Sequence, residues 1–261
     1  MKHTKLMVAL LAVGMIVALF CMNAFMRQGN NPSTQAVDGS ILKNAPGEAA
    51  ETPPVAVVVP KDMAWVKVKL PKPTQGGTPK EVKGAYNLEP SREGRPREPI
   101  FVPAGCEHLL SRDCTVTSSD PDPIIGDLSY ITDGDKEYDS ATYVELAPGT
   151  QWVQVDLGQE REIYAICVWH NFYEPRVYRD VICQISGDPD FLDAVVTVFN
   201  NDHDNSSKLG IGKDKEYIET NEGRPFPVHA VKGRYVRFYS RGNTSNEMNH
   251  YTEIEVYGKG E

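Results

Sequence analysis

Two stretches near the C-terminus decide the fold: WVQVDLGQEREIYAICVW at residues 152–169 and GRYVRFYSRGNTSNEMNHYTEIEVYG at residues 233–258. Both alternate apolar and polar residues and are rich in Val, Ile, Tyr, Phe and Trp, a pattern typical of half-buried antiparallel strands. Shorter segments of the same kind, at residues 115–117, 180–186 and 194–199, are separated by turn-rich loops. No segment beyond the N-terminal apolar run shows a sustained helical period. The pattern therefore predicts an all-β sandwich of the jelly-roll kind.

Residues 1–27 have the composition of an export signal. Lys2 and Lys5 precede an apolar run, residues 6–26, that is broken by one asparagine. A run of about 20 residues is long enough to span a membrane, and no A-x-A cleavage site follows it. We therefore predict a signal peptide or a membrane anchor, with the anchor favoured slightly over cleavage. Lipidation at Cys21 is disfavoured, because the bulky Phe20 precedes it. Either alternative predicts a chain exported to the periplasmic or extracellular side of the membrane.

The next segments differ from the strand-rich part in composition. Residues 28–60 are rich in Pro, Asn, Gly and Ala and are predicted to be a flexible linker. Prolines recur through residues 61–105, which excludes a helix and permits only edge strands such as Trp65–Leu70. The sequence leaves open whether this Pro-rich segment packs on the domain or is mobile. Residues 106–259 are predicted to form the sandwich domain.

The acidity of the chain lies in the strand-rich part. Residues 101–261 carry 14 basic and 28 acidic residues, a net charge of −14. Such a surface repels phosphate backbones and anionic headgroups, so nucleic acid is excluded as a partner and contact with the membrane is expected only through the N-terminal segment. Neutral sugars, cations and basic proteins remain as partner classes.

Four cysteines follow the apolar run: Cys106, Cys114, Cys167 and Cys183. In an oxidising compartment a bridge between Cys106 and Cys114 is plausible. The alternation places Cys183 on the core face and Cys167 on the opposite face, where a buried thiol is at least as good an interpretation as a disulfide. The absence of C-x-x-C from the sequence argues against a zinc or redox site.

Seven segments, in order, resemble the discoidin family, also called the coagulation factor V/VIII type C or galactose-binding-like family. They are HLLSRDCTVTSS (108–119), ITDGD (131–135), WVQVDLG (152–158), IYAICV (163–168), VICQISGDPDF (181–191), GRYVRF (233–238) and EIEVYG (253–258). The resemblance covers residues 107–258. It implies a galactose-binding-like jelly-roll β-sandwich whose loops bind ligands and which mostly does no chemistry.

The resemblance also implies a structural calcium ion near the acidic turn of residues 133–135. The ligands it implies are Tyr130 and Asp135 (main chain), Asp133 (side chain), Ser140 or Thr142, Thr252 (main chain) and Glu253 (side chain). Oxygen-rich turns suit Ca²⁺, a hard cation that takes six to eight oxygen ligands. A solvated turn with an ordinary hydrogen bond to Glu253 is the alternative. A second oxygen-rich stretch, residues 200–207, does not have the pattern of an EF-hand loop and is interpreted as a solvated turn.

The loop after Trp169 is the predicted sugar site. In sugar-binding members of the family, basic residues at the end of this strand and across the loop bind hydroxyls, and His170 and Arg176 occupy the matching places. Phe172 or Tyr173 would stack on a sugar face. Ordinary packing of these aromatic residues is the alternative.

The sequence therefore predicts a non-catalytic, exported, membrane-tethered binding module that recognises carbohydrate. A cell-envelope adhesion or structural protein that binds another protein through the same loops is the second hypothesis. A hydrolase is the third and weakest, because the chain contains no G-x-S-x-G, H-E-x-x-H or phosphate-loop motif.

Overall fold

A computed structural model describes residues 57–74, 82–92, 94–137 and 142–260. The predicted signal or anchor, residues 1–27, and all but the end of the predicted linker, residues 28–60, lie outside the described residues. Within the described part, no helix has the length and apolarity needed to cross a membrane.

The described residues form eleven strands and one short 3-10 helix at Leu128–Thr132. The strands are β1 (Met63–Trp65), β2 (Phe101–Pro103), β3 (His108–Leu109), β4 (Thr115–Ser118), β5 (Val144–Leu146), β6 (Gln151–Trp169), β7 (Ile182–Ser186), β8 (Val196–Asn200), β9 (Arg224–Ser240), β10 (Asn249–Tyr251) and β11 (Glu253–Gly258). The fold is an all-β antiparallel sandwich, as the alternating pattern predicts.

The two stretches that decide the fold become the long strands β6 and β9, together with β10 and β11. The main sheet has the order β3-β11-β6-β9-β7-β8, and β4 pairs with β6. The ladder between β6 and β9 is interrupted between Asp156 and Arg161 and again between Ile163 and Ala165. Such irregularities bend strands and let them pass from one layer to another. Both halves of β6 thereby face one core.

That core takes its residues from the alternation seen in the sequence. Val153 and Val155 from the first half of β6 and Ile166 and Val168 from the second half are fully buried in the same cluster, with Cys183. Cys167 lies on the opposite face, packed with Trp169 and Phe172. The predicted facing of both cysteines is therefore confirmed.

The Pro-rich segment lies against the sandwich in its described parts. β1 pairs with β2, and Val66 and Val102 pack on Ala165 and Tyr257 on the outer face of the sheet. Further along, the backbone N–H of Glu89 donates to the carbonyl of Glu216 at 2.8 Å. We call the described residues 62–74, 82–92 and 94–103 the extension.

All four described cysteines are free thiols. The disulfide considered plausible between Cys106 and Cys114 is absent. Packing against the core and the extension, rather than a disulfide, therefore holds the start of the domain in place.

Candidate functional site

Four side chains of different elements converge at the end of the sandwich where β6 ends: Tyr143, Glu145, Arg176 and His250. Glu145 on β5 lies directly opposite His250 on β10 in the two-stranded ladder. Arg176 belongs to the loop between β6 and β7, and its charge acts on both Tyr143 and Glu145. We call these four residues the loop-end site.

His250 is held between two partners. Its Nε2 lies 2.9 Å from Oε2 of Glu145, and its Nδ1 lies 2.8 Å from the Tyr178 hydroxyl. Burial, together with the positive charges of Arg176 and His170, lowers the pKa of His250 to about 3. A neutral imidazole has one donor and one acceptor nitrogen. The network therefore assigns the Tyr178 hydroxyl as donor to Nδ1, and Nε2–H as donor to Glu145, which fixes the orientation of that carboxylate.

Arg176 supplies donors to the site. Its side chain is only 9% exposed and its Nη2 lies 3.1 Å from Oε2 of Glu174 at the rim. Its buried Nε has no hydrogen-bond partner. A buried guanidinium nitrogen without an acceptor is costly, and a ligand oxygen or a water removes that cost.

Tyr143 gives the site an aromatic ring. The ring is partly exposed and lies 5.6 Å from the His250 ring in an edge-on arrangement. Burial raises the pKa of the Glu145 carboxyl, and the positive charge of Arg176 acts in the opposite direction. The acceptor Glu145 therefore lies near a cation. Planar donors, a planar acceptor and a ring within one cluster are the groups that bind a sugar's hydroxyls and its apolar face.

The prediction for His170 requires a correction. The structure buries His170 completely, with Nδ1 2.7 Å from Oε1 of Glu219, whose side chain is also fully buried. The His170 ring stacks on Tyr178 at 4.3 Å. His170 thus lies one layer behind the site, where it supports the tyrosine that orients His250, and does not reach a ligand.

The two predicted stacking residues have different positions. Phe172 is 2% exposed and packs with Cys167, Trp169 and Val68, so the prediction that it stacks on a sugar is wrong. Tyr173 is 48% exposed. Contact of Tyr173 with a sugar stays a prediction.

The acidic turn and Glu253 meet as the calcium prediction requires. Oε2 of Glu253 accepts the backbone N–H of Gly134 at 2.9 Å, and the Glu253 side chain is buried. Burial raises the pKa of Glu253 to about 8. Asp133 and Asp135 are exposed, and each accepts the N–H two residues ahead, at 2.7 Å and 3.0 Å.

The structure describes all but one of the other predicted calcium ligands. Thr252 is buried next to Glu253, and its N–H donates to the Trp169 carbonyl at 2.8 Å. Tyr130 lies on the 3-10 helix that leads into the turn, and Thr142 is partly buried. Ser140 lies outside the described residues. The turn is rich in oxygen donors, which a hard cation would use, but the Arg112 guanidinium donates to the Asp133 carbonyl.

Lys136 places a buried cation behind this turn. Its side chain is 4% exposed and forms an ion pair with Glu255, which is 3% exposed. The Lys136 ammonium also lies 4.8 Å from the centre of the Trp169 ring. This pair was not predicted from the sequence, because nothing in the local pattern marks a lysine in an acidic turn as buried.

The second oxygen-rich stretch brings Asp202 and Asp204 close to Asp180. The carboxylate of Asp202 accepts the N–H groups of Ser206 and Ser207 at 3.2 Å and 2.9 Å. These bonds are those of a tight turn, as predicted, but Asp202 is fully buried, so the prediction that the turn is solvated is wrong at this residue.

Comparison with known proteins finds only structures of low similarity to this chain. No family model and no curated protein matches the chain. The carbohydrate-binding module CBM32 of AlyQ, in complex with 4,5-unsaturated mannuronic acid, has a TM-score of 0.40 and 21% identity over 56% of this chain and 95% of that chain. Chitosan-binding module 1 from the chitosanase/glucanase of Paenibacillus sp. IK-5 has a TM-score of 0.43 and 21% identity over 58% of this chain and 99% of that chain.

A third similar structure is CpGH89 from Clostridium perfringens, in complex with its substrate GlcNAc-α-1,4-galactose. It has a TM-score of 0.44 and 19% identity over 58% of this chain, and the match spans only 15% of the hydrolase. Carbohydrate-binding modules thus occur among the structural neighbours. All three TM-scores are below 0.5.

Proposed function

We propose that this chain is a non-catalytic, exported binding module that recognises neutral carbohydrate at the loop-end site, with a structural calcium ion at the acidic turn. The observation that carries the proposal is the convergence of Arg176, Glu145, His250 and Tyr143 at one end of the sandwich. The loop of residues 170–176, in which the family resemblance implies a sugar contact, contributes Arg176. Residues 1–27 tether the module to the membrane in this proposal.

The division of roles follows from the contacts. Arg176 donates to a ligand oxygen through its Nε, which the protein leaves without an acceptor. Glu145, oriented by His250 at 2.9 Å, accepts a ligand hydroxyl. Tyr143 removes the apolar face of a sugar ring from water. The acidic surface of the domain favours a neutral ligand over an anionic one.

Replacing Arg176 with glutamine is expected to weaken glycan binding about tenfold or more, because a hydrogen bond to a charged group contributes about 1.5–3 kcal/mol. Tyr143→Ala is expected to weaken it by a similar factor through loss of the ring. A glycan array followed by calorimetry on the full chain measures both effects. Arg234→Gln, within β9 and with a side chain 41% exposed that pairs with Asp156, is the matched control. Glycan binding that survives both site variants would place the ligand elsewhere and remove the proposal for this site.

Calcium is expected to raise the melting temperature of the full chain. At a hundredfold excess over its Kd, binding to the folded state adds about 2.7 kcal/mol, or about 5–10 °C for a domain of this size. Glu253→Gln should abolish the shift, because it removes the buried carboxylate at the turn. Asp190→Asn in the hairpin between β7 and β8 should retain it. A thermal scan with EDTA and with millimolar Ca²⁺ decides, and equal melting temperatures in the two conditions would exclude the ion.

A further inference from the structure

A cavity lies between the extension and the sheet, away from the loop-end site. It has a volume of about 530 Å³ and is lined by Glu89, Arg92, Arg97, Glu98, Pro99, Ile100, Phe101, Arg224, Pro225 and Pro227. This volume falls within the range of about 300–1,000 Å³ that small-molecule sites occupy. We call it the extension cleft.

Both walls of the extension cleft are fixed by hydrogen bonds. The backbone N–H of Arg97 donates to Oε1 of Glu222 at 3.0 Å, and its Nε donates to the Gly223 carbonyl at 2.8 Å. Arg92 also forms an ion pair with Glu222. The residues of the extension are therefore held in place beside Arg224 at the start of β9, and the cleft is a preformed concavity.

The charges in and around the cleft are balanced. Glu89 pairs with Arg224 at 2.9 Å and with Arg97 at 3.1 Å, and Glu222 pairs with Arg92. With Glu98 included, the cleft and its surroundings therefore contain three arginines and three glutamates. A balanced set of donors and acceptors does not select an anion, which would have to compete with Glu89 for the guanidinium groups. It matches a ligand that carries both hydroxyl donors and oxygen acceptors.

Two guanidinium nitrogens in the cleft lack hydrogen bonds. Nε of Arg224 is buried without an acceptor, and Nη2 of Arg97, although 3.1 Å from Glu89, makes no hydrogen bond of good geometry. Only 9% of the Arg97 side chain is exposed. Buried polar groups of this kind call for a ligand or a water that supplies the missing acceptor.

The remaining walls are apolar. Pro99, Ile100, Phe101, Pro225 and Pro227 line the cleft beside the arginines. A neighbouring apolar cavity of about 180 Å³, whose walls include Trp65 and Tyr257, shares several of these residues. Charged planar groups next to C–H surface are the combination that a sugar ring requires, because each ring has hydroxyls at its edge and an apolar face.

We infer that the extension cleft is a second carbohydrate site, which takes a short neutral oligosaccharide through Nε of Arg224, which has no acceptor, through Nη2 of Arg97, whose one partner is the ion pair with Glu89, and through apolar contact with the proline walls. The inference extends the proposed function to a second site, in which seven of the ten lining residues lie outside the family resemblance. Two sites on one module would bind a multivalent glycan more tightly than either site alone.

The test is a titration of the ¹⁵N-labelled full chain, in a detergent without a sugar headgroup, with lactose, cellobiose and N,N′-diacetylchitobiose. We expect at least one of these disaccharides to shift the amide signals of Arg97, Ile100, Phe101, Gly223 and Arg224. Arg224→Gln should weaken this response about tenfold, while Arg234→Gln and the loop-end variant Arg176→Gln should change it less than twofold. Glu98→Gln, at an exposed position with less risk to folding, should weaken it as well.

The outcomes separate the two proposals. Shifts confined to the loop-end site would overturn the second site and leave the proposed function standing. Shifts confined to the cleft that persist in Arg176→Gln would support the second site and remove the loop-end assignment. A response only to glucuronate or inorganic phosphate would show an anion site and overturn the inference, and no response to any sugar would overturn both proposals.

Discussion

Replacing Lys136 with methionine is expected to destabilise the folded chain by about 3–5 kcal/mol, the usual cost of breaking a buried ion pair by removing one partner. The side chains of Lys136 and Glu255 are 4% and 3% exposed, so the carboxylate that remains cannot recover its hydration. Glu253, whose pKa the Lys136 charge lowers against the effect of burial, loses the same cation. Urea unfolding of the full chain, followed by circular dichroism in EDTA, measures the loss.

Two controls test the mechanism. The double variant Lys136→Met/Glu255→Gln should recover a large part of the stability, because it leaves no unpaired charge at Glu255. Arg234→Met breaks an ion pair with Asp156 whose side chains are 41% and 28% exposed, and should cost no more than about 1 kcal/mol. A loss in Lys136→Met no larger than that of Arg234→Met would show that the burial of the pair has no energetic consequence.

Trp169→Ala is expected to cost about 3–5 kcal/mol, the range for removing a large buried aromatic residue. Trp169 is fully buried between the sheet and the extension and packs with Phe172 and Val68. Its Nε1 donates to the Asn221 carbonyl at 3.0 Å. The substitution leaves a cavity, an unpaired carbonyl and a lysine without its aromatic neighbour.

Trp152→Ala is the matched control, because Trp152 is only partly buried, with its ring 4.2 Å from the Arg237 guanidinium. We expect a clearly smaller loss for this variant in the same unfolding experiment. Equal losses for the two tryptophans would contradict the assignment of Trp169 as the residue that joins the extension to the sandwich. Trp169→Phe should retain part of the stability, since the smaller ring still fills some of the space.

Much of the fold was predictable, because strand alternation is a local signal. Val153 and Val155 follow each other at a spacing of two, and both are buried as that spacing predicts. Asp156, which follows Val155, accepts the Gly158 N–H at 2.8 Å and pairs with Arg234, so it is a structural carboxylate. The short strands β5 and β10, of three residues each, were not predicted from the sequence.

The site was less predictable because its members are brought together by pairings that the sequence does not show. His250 meets Glu145 across a separation of 105 residues, through a ladder formed by the two missed strands. The loop after Trp169 pointed to His170 as the ligand residue. His170, however, continues the alternation of Ile166 and Val168, which face the core, and it is buried as they are. Arg176, in the same loop, does reach the site.

The docking of the extension also constrains the order in which the chain can fold. The backbone N–H of Tyr86 donates to a carboxylate oxygen of Glu216 at 2.6 Å, across 130 residues of intervening chain. A ribosome releases the extension first, so these residues have no surface to bind until β9 has been synthesised. Native pairings of such high contact order form slowly, on the millisecond-to-second scale. During that interval the apolar face around Ala165 and Tyr257 is uncovered, which makes the half-made chain a natural client for chaperones.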